Sequence, residues 1–268
     1  MPEDSYIIRG GVEGRERLRL LSRILRRTTL SLLERVGIRP AMSCVDVGCG
    51  GGDVTLDLAR LVGPAGRVVG IDVDAIKLDL ARQEAAAAGV AKVEFRHVGI
   101  DQWRPAQEFD VVYSRFLLTH LTDATAAVRT MRQALRPGGI IIIEDVDFAG
   151  HFCYPNHPAF SRYVELYTET VLRRGGDPYI GPKLPGMLLD NRFERVDLNV
   201  VQPAGIEGDV KLLNPITMEN FADAVLAAGL ASRAEVDEIV AGLYESARDG
   251  RTVMSVARVV QTWGWRNA

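Results

Sequence analysis

A cluster of glycines and a carboxylate that follows it are the residues of this sequence best placed to do chemistry. The segment VDVGCGGGDV (Val45–Val54) has glycine at four of five successive positions from Gly48. Glycines between a strand and a helix permit a sharp turn and let a ligand lie against the backbone. Asp72 lies twenty residues beyond Gly52, at the end of a second apolar segment. A carboxylate there can accept both hydroxyls of a ribose, so the spacing predicts a site for an adenosine-containing ligand.

The charges beside the glycines discriminate between such ligands. Asp53 stands where a GxGxxG loop has its last glycine, and Asp46 lies in the preceding apolar segment. Two carboxylates repel the pyrophosphate of a dinucleotide but suit a cation. S-adenosylmethionine carries an adenosine, an ammonium group and a sulfonium, and it has no phosphate. The charges therefore favour S-adenosylmethionine over NAD as the cofactor.

Short apolar segments alternate with amphipathic ones through the first half of the chain. The strands are predicted at Ser43–Gly48, Arg67–Asp72, Lys92–Val98, Phe109–Ser114 and Ile140–Val146, and the helices at Val12–Val36, Asp53–Val62, Ala75–Ala88 and Thr122–Leu135. Apolar strands separated by helices indicate βαβ units with right-handed crossovers. The predicted fold class is α/β, with a doubly wound parallel sheet. Arginines scattered along the first helix are interpreted as its solvated face.

The sequence changes character after about residue 148, where a loop rich in proline and aromatic residues precedes further helices. We predict an N-terminal arm and helix acting as a lid over residues 1–40, and a cofactor-binding core over 41–150. Residues 151–268 are expected to complete the sheet and to insert a helical cap for the substrate. The exposed-looking tail QTWGWRNA, with Trp263 and Trp265, hints at a lid or at the subunit contact of a homodimer.

Length, composition and charge exclude several classes of protein. A chain of 268 residues suits one α/β domain of full size, and 47% apolar residues exclude wholesale disorder. A net charge of −3 means that the chain lacks the excess of positive charge that binds nucleic acid or an anionic membrane. No apolar run reaches the ~18 residues that span a bilayer, and no signal peptide is expected. Cys44, Cys49 and Cys153 have no CxxC spacing, so we expect reduced thiols and a cytoplasmic location.

Four sequence blocks together resemble the class I S-adenosylmethionine-dependent methyltransferases. The blocks are VDVGCGGGD (45–53), VVGIDVD (68–74), EFDVVYSRFLLTHL (108–121) and LRPGGIIIIEDVDF (135–148). They cover residues 40–148 in the order and at the spacing of the family, and bacterial enzymes that methylate small molecules are the most similar. The resemblance implies a Rossmann-like sheet of seven strands whose last strand runs antiparallel.

The same resemblance assigns the cofactor to the N-terminal arm and to the ends of the first four strands. The matched positions are Tyr6, Asp46, Gly48, Gly50, Asp72, Val73, Ile100, Asp101, Ser114 and Arg115. Those of the glycine turn are implied to line the methionine part, and those after the second and third strands the ribose and adenine. The pair that ends the fourth strand is implied to border the sulfonium. Tyr6 lies in a segment that resembles arms folding over the cofactor.

Two subfamilies are disfavoured by particular positions. Enzymes that methylate the exocyclic amines of nucleic-acid bases carry an Asn/Asp-Pro-Pro-aromatic run after the fourth strand, where this chain has SRFL (114–117). Metal-assisted catechol enzymes need converging acidic ligands, but Glu144, Asp145 and Asp147 alternate in direction along a strand. We therefore expect no nucleic-acid partner and no metal.

Candidate catalytic and substrate residues follow the fourth and fifth strands. Methyl transfer is an in-line displacement that depends on alignment and desolvation, and a general base helps only when the acceptor proton has a high pKa. His120 and His151 are the candidate bases, with packing or helix capping as the alternative for His120. The candidates for contact with the substrate are Glu144, Asp147, His151 and Tyr154.

The sequence therefore predicts a methyltransferase that uses S-adenosylmethionine to modify an O, N or C atom of a small metabolite, with natural-product biosynthesis as one setting. Two alternatives remain open. An NAD(P)-dependent oxidoreductase is disfavoured by Asp53 and by the lack of a Tyr-x-x-x-Lys pair. A protein that binds S-adenosylmethionine without transferring its methyl group is compatible with the same site, because fold and cofactor do not fix chemistry.

Overall fold

A sheet of seven strands forms the centre of the molecule. The computed structural model describes residues 11–90 and 92–267. The strands are β1 (Ser43–Val47), β2 (Arg67–Asp72), β3 (Val93–His97), β4 (Phe109–Arg115), β5 (Leu135–Asp147), β7 (Phe193–Val201) and β10 (Arg258–Arg266). Their order is β3-β2-β1-β4-β5-β10-β7, and in this sheet β10 runs antiparallel to the other six strands. This confirms the predicted doubly wound, Rossmann-like α/β fold with an antiparallel last strand.

Helices cover both faces of the sheet and extend beyond it. They are α1 (Gly11–Arg35), α2 (Asp53–Val62), α3 (Ala75–Ala87), α4 (Ala124–Ala134), α5 (Pro158–Arg173), α6 (Leu184–Asp190), α7 (Asp209–Ala227) and α8 (Arg233–Arg248). Local sequence explains several of their starts, because the side chains of Asp74, Asp123 and Ser232 accept hydrogen bonds from the first turns of α3, α4 and α8. Within the described ranges, no helix is long and apolar enough to cross a membrane.

Three helices, α5, α7 and α8, form the predicted helical cap. Their shared core is apolar and aromatic, with Tyr163, Tyr167 and Phe221 buried in it. A small antiparallel sheet of β6 (Cys153–Tyr154), β9 (Val253–Ser255) and β8 (Ala204–Gly205) joins the cap to β10. The cap therefore lies against the carboxyl ends of β4 and β5, where parallel strands present ligand-binding loops.

Residues 261–264 of the C-terminal tail are buried rather than exposed. β10 pairs with β5 on one side and β7 on the other, and Trp263 is 4% exposed within a core cluster. A strand with a neighbour on each side buries side chains on both faces, so the expected exposure was wrong for Trp263, whereas Trp265 is half-buried. A homodimer contact at the tail stays a prediction.

Candidate cofactor and acceptor site

A cavity of about 950 Å³ opens at the carboxyl edge of the parallel strands, where the strand order reverses between β1 and β4. Its glycine-turn half is formed by the loops after β1, β2 and β3 and includes Asp46, Gly48, Gly50, Asp72, Val73 and Ile100. Its cap half is formed by α1, α5, α7 and the segment after β4 and includes Arg17, His120, Tyr163, Tyr167, Thr217 and Asn220. The volume is at the upper end for a small-molecule site, which is enough for two ligands side by side.

Asp72 holds the glycine turn and the loop after β2 together. One carboxylate oxygen accepts the backbone N–H of Gly50 at 2.8 Å, and the other accepts that of Asp74 at 2.9 Å. Gly50 has a φ of 52°, in the left-handed region that glycine adopts without strain. Each carboxylate oxygen has two acceptor positions, so Asp72 can still accept a pair of hydroxyls.

The first helix closes the other side of the turn. A Cβ atom at Gly51 would overlap the Arg15 side chain, so a larger residue there would have to displace Arg15. The Arg15 guanidinium is 1% exposed and donates to both carboxylate oxygens of Asp53 and of Glu84. The interpretation of the arginines as a solvated face was wrong for Arg15. The charge of Asp53 is balanced by Arg15, so the repulsion of a pyrophosphate is weaker than the sequence suggested.

Asp46 is buried at the floor of the glycine-turn half. Its carboxyl group accepts a hydrogen bond from the Thr55 hydroxyl at 2.6 Å. Burial raises the pKa of Asp46 to about 7, although Thr55 and the Arg115 guanidinium oppose the rise. A carboxyl group that titrates near neutrality gains from a cation placed against it, and an ammonium group is such a partner.

These groups fit S-adenosylmethionine. Asp72 can accept the ribose hydroxyls, Asp46 can face the ammonium group, and the backbone at the glycines permits close approach. Val73 and Ile100 supply apolar surface on the same side of the cavity, as an adenine ring requires. Seven of the ten positions implied for the cofactor therefore line the cavity: Asp46, Gly48, Gly50, Asp72, Val73, Ile100 and Arg115.

The other three positions are placed differently. Ser114 is 1% exposed and donates from Oγ to the carbonyl of Val47 at 2.8 Å, which ties β4 to β1 rather than reaching the cavity. Asp101 is exposed on the loop after β3 and is outside the cavity lining. Tyr6 lies outside the described residues.

The carboxylates of Glu144 and Asp147 are bound to other groups of the protein. Glu144 is fully buried and accepts hydrogen bonds of 2.5–2.8 Å from three side chains, those of Thr29, Tyr113 and Gln261. Asp147 pairs with Arg258 at 3.0 Å and accepts the backbone N–H of Ala149. Neither lines the cavity, so their positions do not support the predicted contact with substrate.

Tyr154 also lies away from the cavity. It is 71% exposed at the outer edge of the small sheet, where it ends β6. Within the described ranges, no group of three or more His, Cys, Asp or Glu side chains is arranged to hold a metal ion.

His120 lines the cap half, at the end of the short 3₁₀ helix Leu118–His120. Asp145 positions this turn by accepting the backbone N–H of Thr119 at 3.2 Å. Burial lowers the pKa of His120 to about 3, and further lowering comes from the cations Arg17, Lys77 and Arg174. His120 is therefore neutral at physiological pH and is a weak base.

His151 borders the cavity within an aromatic cluster. Its Nε2 lies 3.0 Å from the carbonyl of Ser255, so Nε2 carries the proton and donates it. Its Nδ1 is enclosed and has no hydrogen-bond partner among the described residues. The ring meets Phe148, Phe160 and Tyr163 edge-on, and burial lowers the pKa of His151 to about 4. This environment is that of a packed, neutral histidine.

Apart from His120 and His151, the sequence interpretation missed the polar and aromatic residues of the cap half. Tyr167 stacks on Phe148 with ring centroids 4.1 Å apart, and Arg17 donates from Nε to the Thr217 hydroxyl at 3.0 Å. One signal could have found Arg17, which precedes Leu21 by one helical turn on the face that packs inward. Nothing comparable in the sequence marks the cap aromatics as cavity residues.

Comparison with known proteins agrees with the geometry of the glycine-turn half. Residues 38–169 match a family model described as a methyltransferase domain. The ubiquinone/menaquinone biosynthesis C-methyltransferase UbiE of Hahella chejuensis is 32% identical over 142 residues, which are 52% of this chain and 55% of that enzyme. UbiE of Shewanella sp. (strain ANA-3) is 30% identical over 185 residues, 62% of this chain and 71% of that enzyme. A geranyl diphosphate methyltransferase in complex with S-adenosylmethionine superimposes with a TM-score of 0.56 and 17% identity, over 93% of this chain and 90% of that one.

The chain belongs to the class I S-adenosylmethionine-dependent methyltransferases. The predicted family is confirmed, and with it the enzyme class and the cofactor. The comparisons give no support to the nicotinamide-dependent or non-methylating alternatives. The chain spans little more than half the length of the Hahella enzyme, so the acceptor must be inferred from the site itself.

Proposed function

We propose that this enzyme transfers a methyl group to a small, largely apolar acceptor that occupies the cap half of the cavity. The observation that carries the proposal is the continuity of the cavity. A polar half at the glycine turn passes without a partition into a half walled by Phe148, Tyr163 and Tyr167. Two ligands placed end to end in such a space can bring their reacting atoms together.

In this proposal the glycine-turn half holds the cofactor. Asp72 accepts the ribose hydroxyls while keeping its bonds to Gly50 and Asp74. Asp46 faces the ammonium group, and Val73 and Ile100 enclose the adenine. The bound cofactor supplies an electrophilic methyl group. The role of the chain is to align the acceptor and to exclude water, for which the aromatic wall is suited.

The acceptor atom that fits this site best is a carbon or a hydroxyl oxygen of an electron-rich ring. His120, with its pKa lowered to about 3, is too weak a base to ionise a poor nucleophile. Burial lowers the pKa of His151 to about 4, and its Nε2 already donates to Ser255, so His151 is a weak base as well. The acceptor must therefore bring its own nucleophilicity, as an electron-rich ring carbon, an acidic phenol that ionises in solution or a neutral amine does. Among these, the relatives named as C-methyltransferases of quinone biosynthesis favour a ring carbon or its hydroxyl, and amines are tested beside them.

The organisation of the chain follows the same logic. We propose that α1 acts as the cover of the cavity, because Arg15 seals the glycine turn and Leu21 and Leu25 line the cavity. The cap of α5, α7 and α8 provides the acceptor wall. Three free cysteines among the described residues support function in a reducing compartment such as the cytoplasm. The net charge of −3 supports a small molecule rather than a nucleic acid as the acceptor.

Calorimetric titration with S-adenosylhomocysteine, with NADH and NADPH as controls, tests the cofactor half. Micromolar binding of S-adenosylhomocysteine alone is expected, and binding of a nicotinamide instead would refute the proposal. The acceptor is then sought by incubating the enzyme with methyl-labelled S-adenosylmethionine and matched panels of phenols, quinols and amines. Labelling confined to amines would contradict the assignment to carbon or oxygen.

A further inference from the structure

Among the described residues, no carboxylate forms an ion pair with one arginine of the cap half. Arg17 is 8% exposed and lines the cavity. Within the described residues its only hydrogen bond runs from Nε to the Thr217 hydroxyl at 3.0 Å, and it makes no ion pair. Its neighbours on α1 behave differently, since a carboxylate pairs with each of Arg15, Arg19, Arg23 and Arg26.

The two terminal nitrogens of Arg17 are therefore available to a ligand. A guanidinium presents its N–H groups in a planar fork that matches a carboxylate or phosphate through two parallel hydrogen bonds. A nearly buried cation without a counter-charge is unfavourable, and an anion delivered by a ligand removes the penalty. Arg17 thus has the properties of an anion-binding residue.

The neighbours of Arg17 place this anion in the acceptor half. Thr217 is on α7, and the positive charge of Arg17 also acts on Tyr163 of α5 and on His120 after β4. The other charged groups of this region are Arg174 and Asp223, which line the same cavity, and Lys77, which pairs with Asp74 at 3.2 Å. Arg115, by contrast, interacts electrostatically with Asp46 and Asp53 beside the glycine turn. The methionine end of the cofactor therefore has a cation of its own.

We propose that the acceptor carries a carboxylate or phosphate group and that Arg17 binds it through its terminal nitrogens. This inference rests on the function proposed above and names the class of its substrate, which is an apolar or aromatic anion. The aromatic wall of Tyr163 and Tyr167 takes the apolar body, while Arg17 fixes the position of the charged end. The same anion chemistry also exists in the cofactor's own carboxylate, so the experiment must separate the two sources.

The test measures binding of matched probes to enzyme saturated with S-adenosylhomocysteine. The pairs are 4-hydroxybenzoate and 4-hydroxybenzamide, 1-hydroxy-2-naphthoate and its amide, and geranyl phosphate and geraniol. In the unaltered enzyme at least one anion should bind about tenfold more tightly than its neutral partner, the size expected of a charge-assisted pair. Arg17→Gln should remove this preference, and Arg17→Lys should keep part of it.

A control variant isolates the charge of Arg17. Arg23→Gln, on the same helix but exposed and paired with Asp209, should leave the preference unchanged. Thermal unfolding checks that each variant is folded. If Arg17→Gln does not fold, the comparison is made with Arg17→Lys.

Three results would overturn the inference. One is equal binding of anions and neutral partners, and another is failure of every anion to bind. The third is an Arg17→Gln variant that loses affinity for S-adenosylhomocysteine while keeping the anion preference, since Arg17 would then hold the carboxylate of the cofactor. Failure of the unaltered enzyme to bind S-adenosylhomocysteine would instead defeat the proposed function.

Discussion

The two halves of the cavity differ in how far the protein satisfies its own polar groups. At the glycine turn, Asp72 and Asp53 are already held by backbone N–H groups or by Arg15. In the cap half, among the described residues, the terminal nitrogens of Arg17 and the buried Oδ1 of Asn220 have no protein partner. The first half is preorganised, whereas the second is completed by a ligand.

The difference has a physical origin. The groups around the glycine turn stand at strand ends and on short loops, so the sheet itself fixes their positions. The cap is built from helices whose side chains meet only in the folded chain. Substitutions in the glycine-turn half should therefore change cofactor affinity and leave acceptor selectivity intact. Substitutions in the cap half should change acceptor selectivity and leave cofactor affinity intact.

The strongest test of the preorganised half is Asp72→Ala. This change removes the acceptor for two backbone N–H groups as well as the ligand for the ribose hydroxyls. We expect affinity for S-adenosylhomocysteine to fall about 100-fold, which corresponds to loss of one or two hydrogen bonds to a charged group. Calorimetric titration measures it. Asp147→Asn, a buried carboxylate outside the cavity, is the matched control and should bind normally. A loss of affinity below threefold in Asp72→Ala would show that Asp72 does not organise the glycine-turn half for the cofactor.

The second test asks whether α1 holds the glycine turn in place. Arg15→Gln leaves the carboxylates of Asp53 and Glu84 without their shared buried partner. We expect a loss of about 2 kcal/mol in the free energy of unfolding, measured by urea denaturation, because both carboxylates are partly exposed and can rehydrate. Arg19→Gln, whose side chain is 39% exposed, should cost less than about 1 kcal/mol. Equal losses in Arg15→Gln and Arg19→Gln would show that burial of Arg15 adds nothing to the free energy of unfolding.

The contrast between the halves also explains what the sequence could predict. The strand ends that carry Asp46, Gly50 and Asp72 are contiguous motifs, and parallel strands must present their carboxyl ends at one edge. Local pattern therefore locates the cofactor. Glu144 shows the limit, because a carboxylate at the end of a strand has the same local pattern whether it faces a ligand or accepts bonds from Thr29 and Gln261.

The cap half could not be predicted for a different reason. Arg17 and Thr217 are 200 positions apart, and their contact exists only because α1 packs on α7. Helical periodicity gives the inward face of each helix but not which helix it meets. Arg15 was misjudged likewise, since its counter-charges lie on α2 and α3 rather than on its own helix.

Asp46 gives a pH test of the preorganised half. With its pKa near 7, Asp46 is mostly protonated at pH 6 and mostly ionised at pH 8. If only the carboxylate binds the ammonium group, affinity for S-adenosylhomocysteine should rise about tenfold over this interval, since the ionised fraction does. Asp46→Asn should flatten the dependence. Asp145, whose pKa burial also raises to about 7, does not line the cavity, so Asp145→Asn should retain it. Affinity that falls with rising pH would contradict the assignment.

The smallest expected effect concerns His120 in the cap half. Because its pKa is lowered to about 3, His120 is neutral across pH 5–8 and its protonation should not shape kcat/KM in that range. We expect His120→Gln to lower kcat/KM less than about threefold with an acceptor from the panel, since a weak base contributes little to the transition state. The measurement is a pH profile of the variant beside that of the unaltered enzyme. A limb near pH 6 that disappears in the variant, with a 100-fold loss of rate, would make His120 the general base. The acceptor would then no longer need to supply its own nucleophilicity, and the comparison between the halves would have to include a catalytic group in the cap.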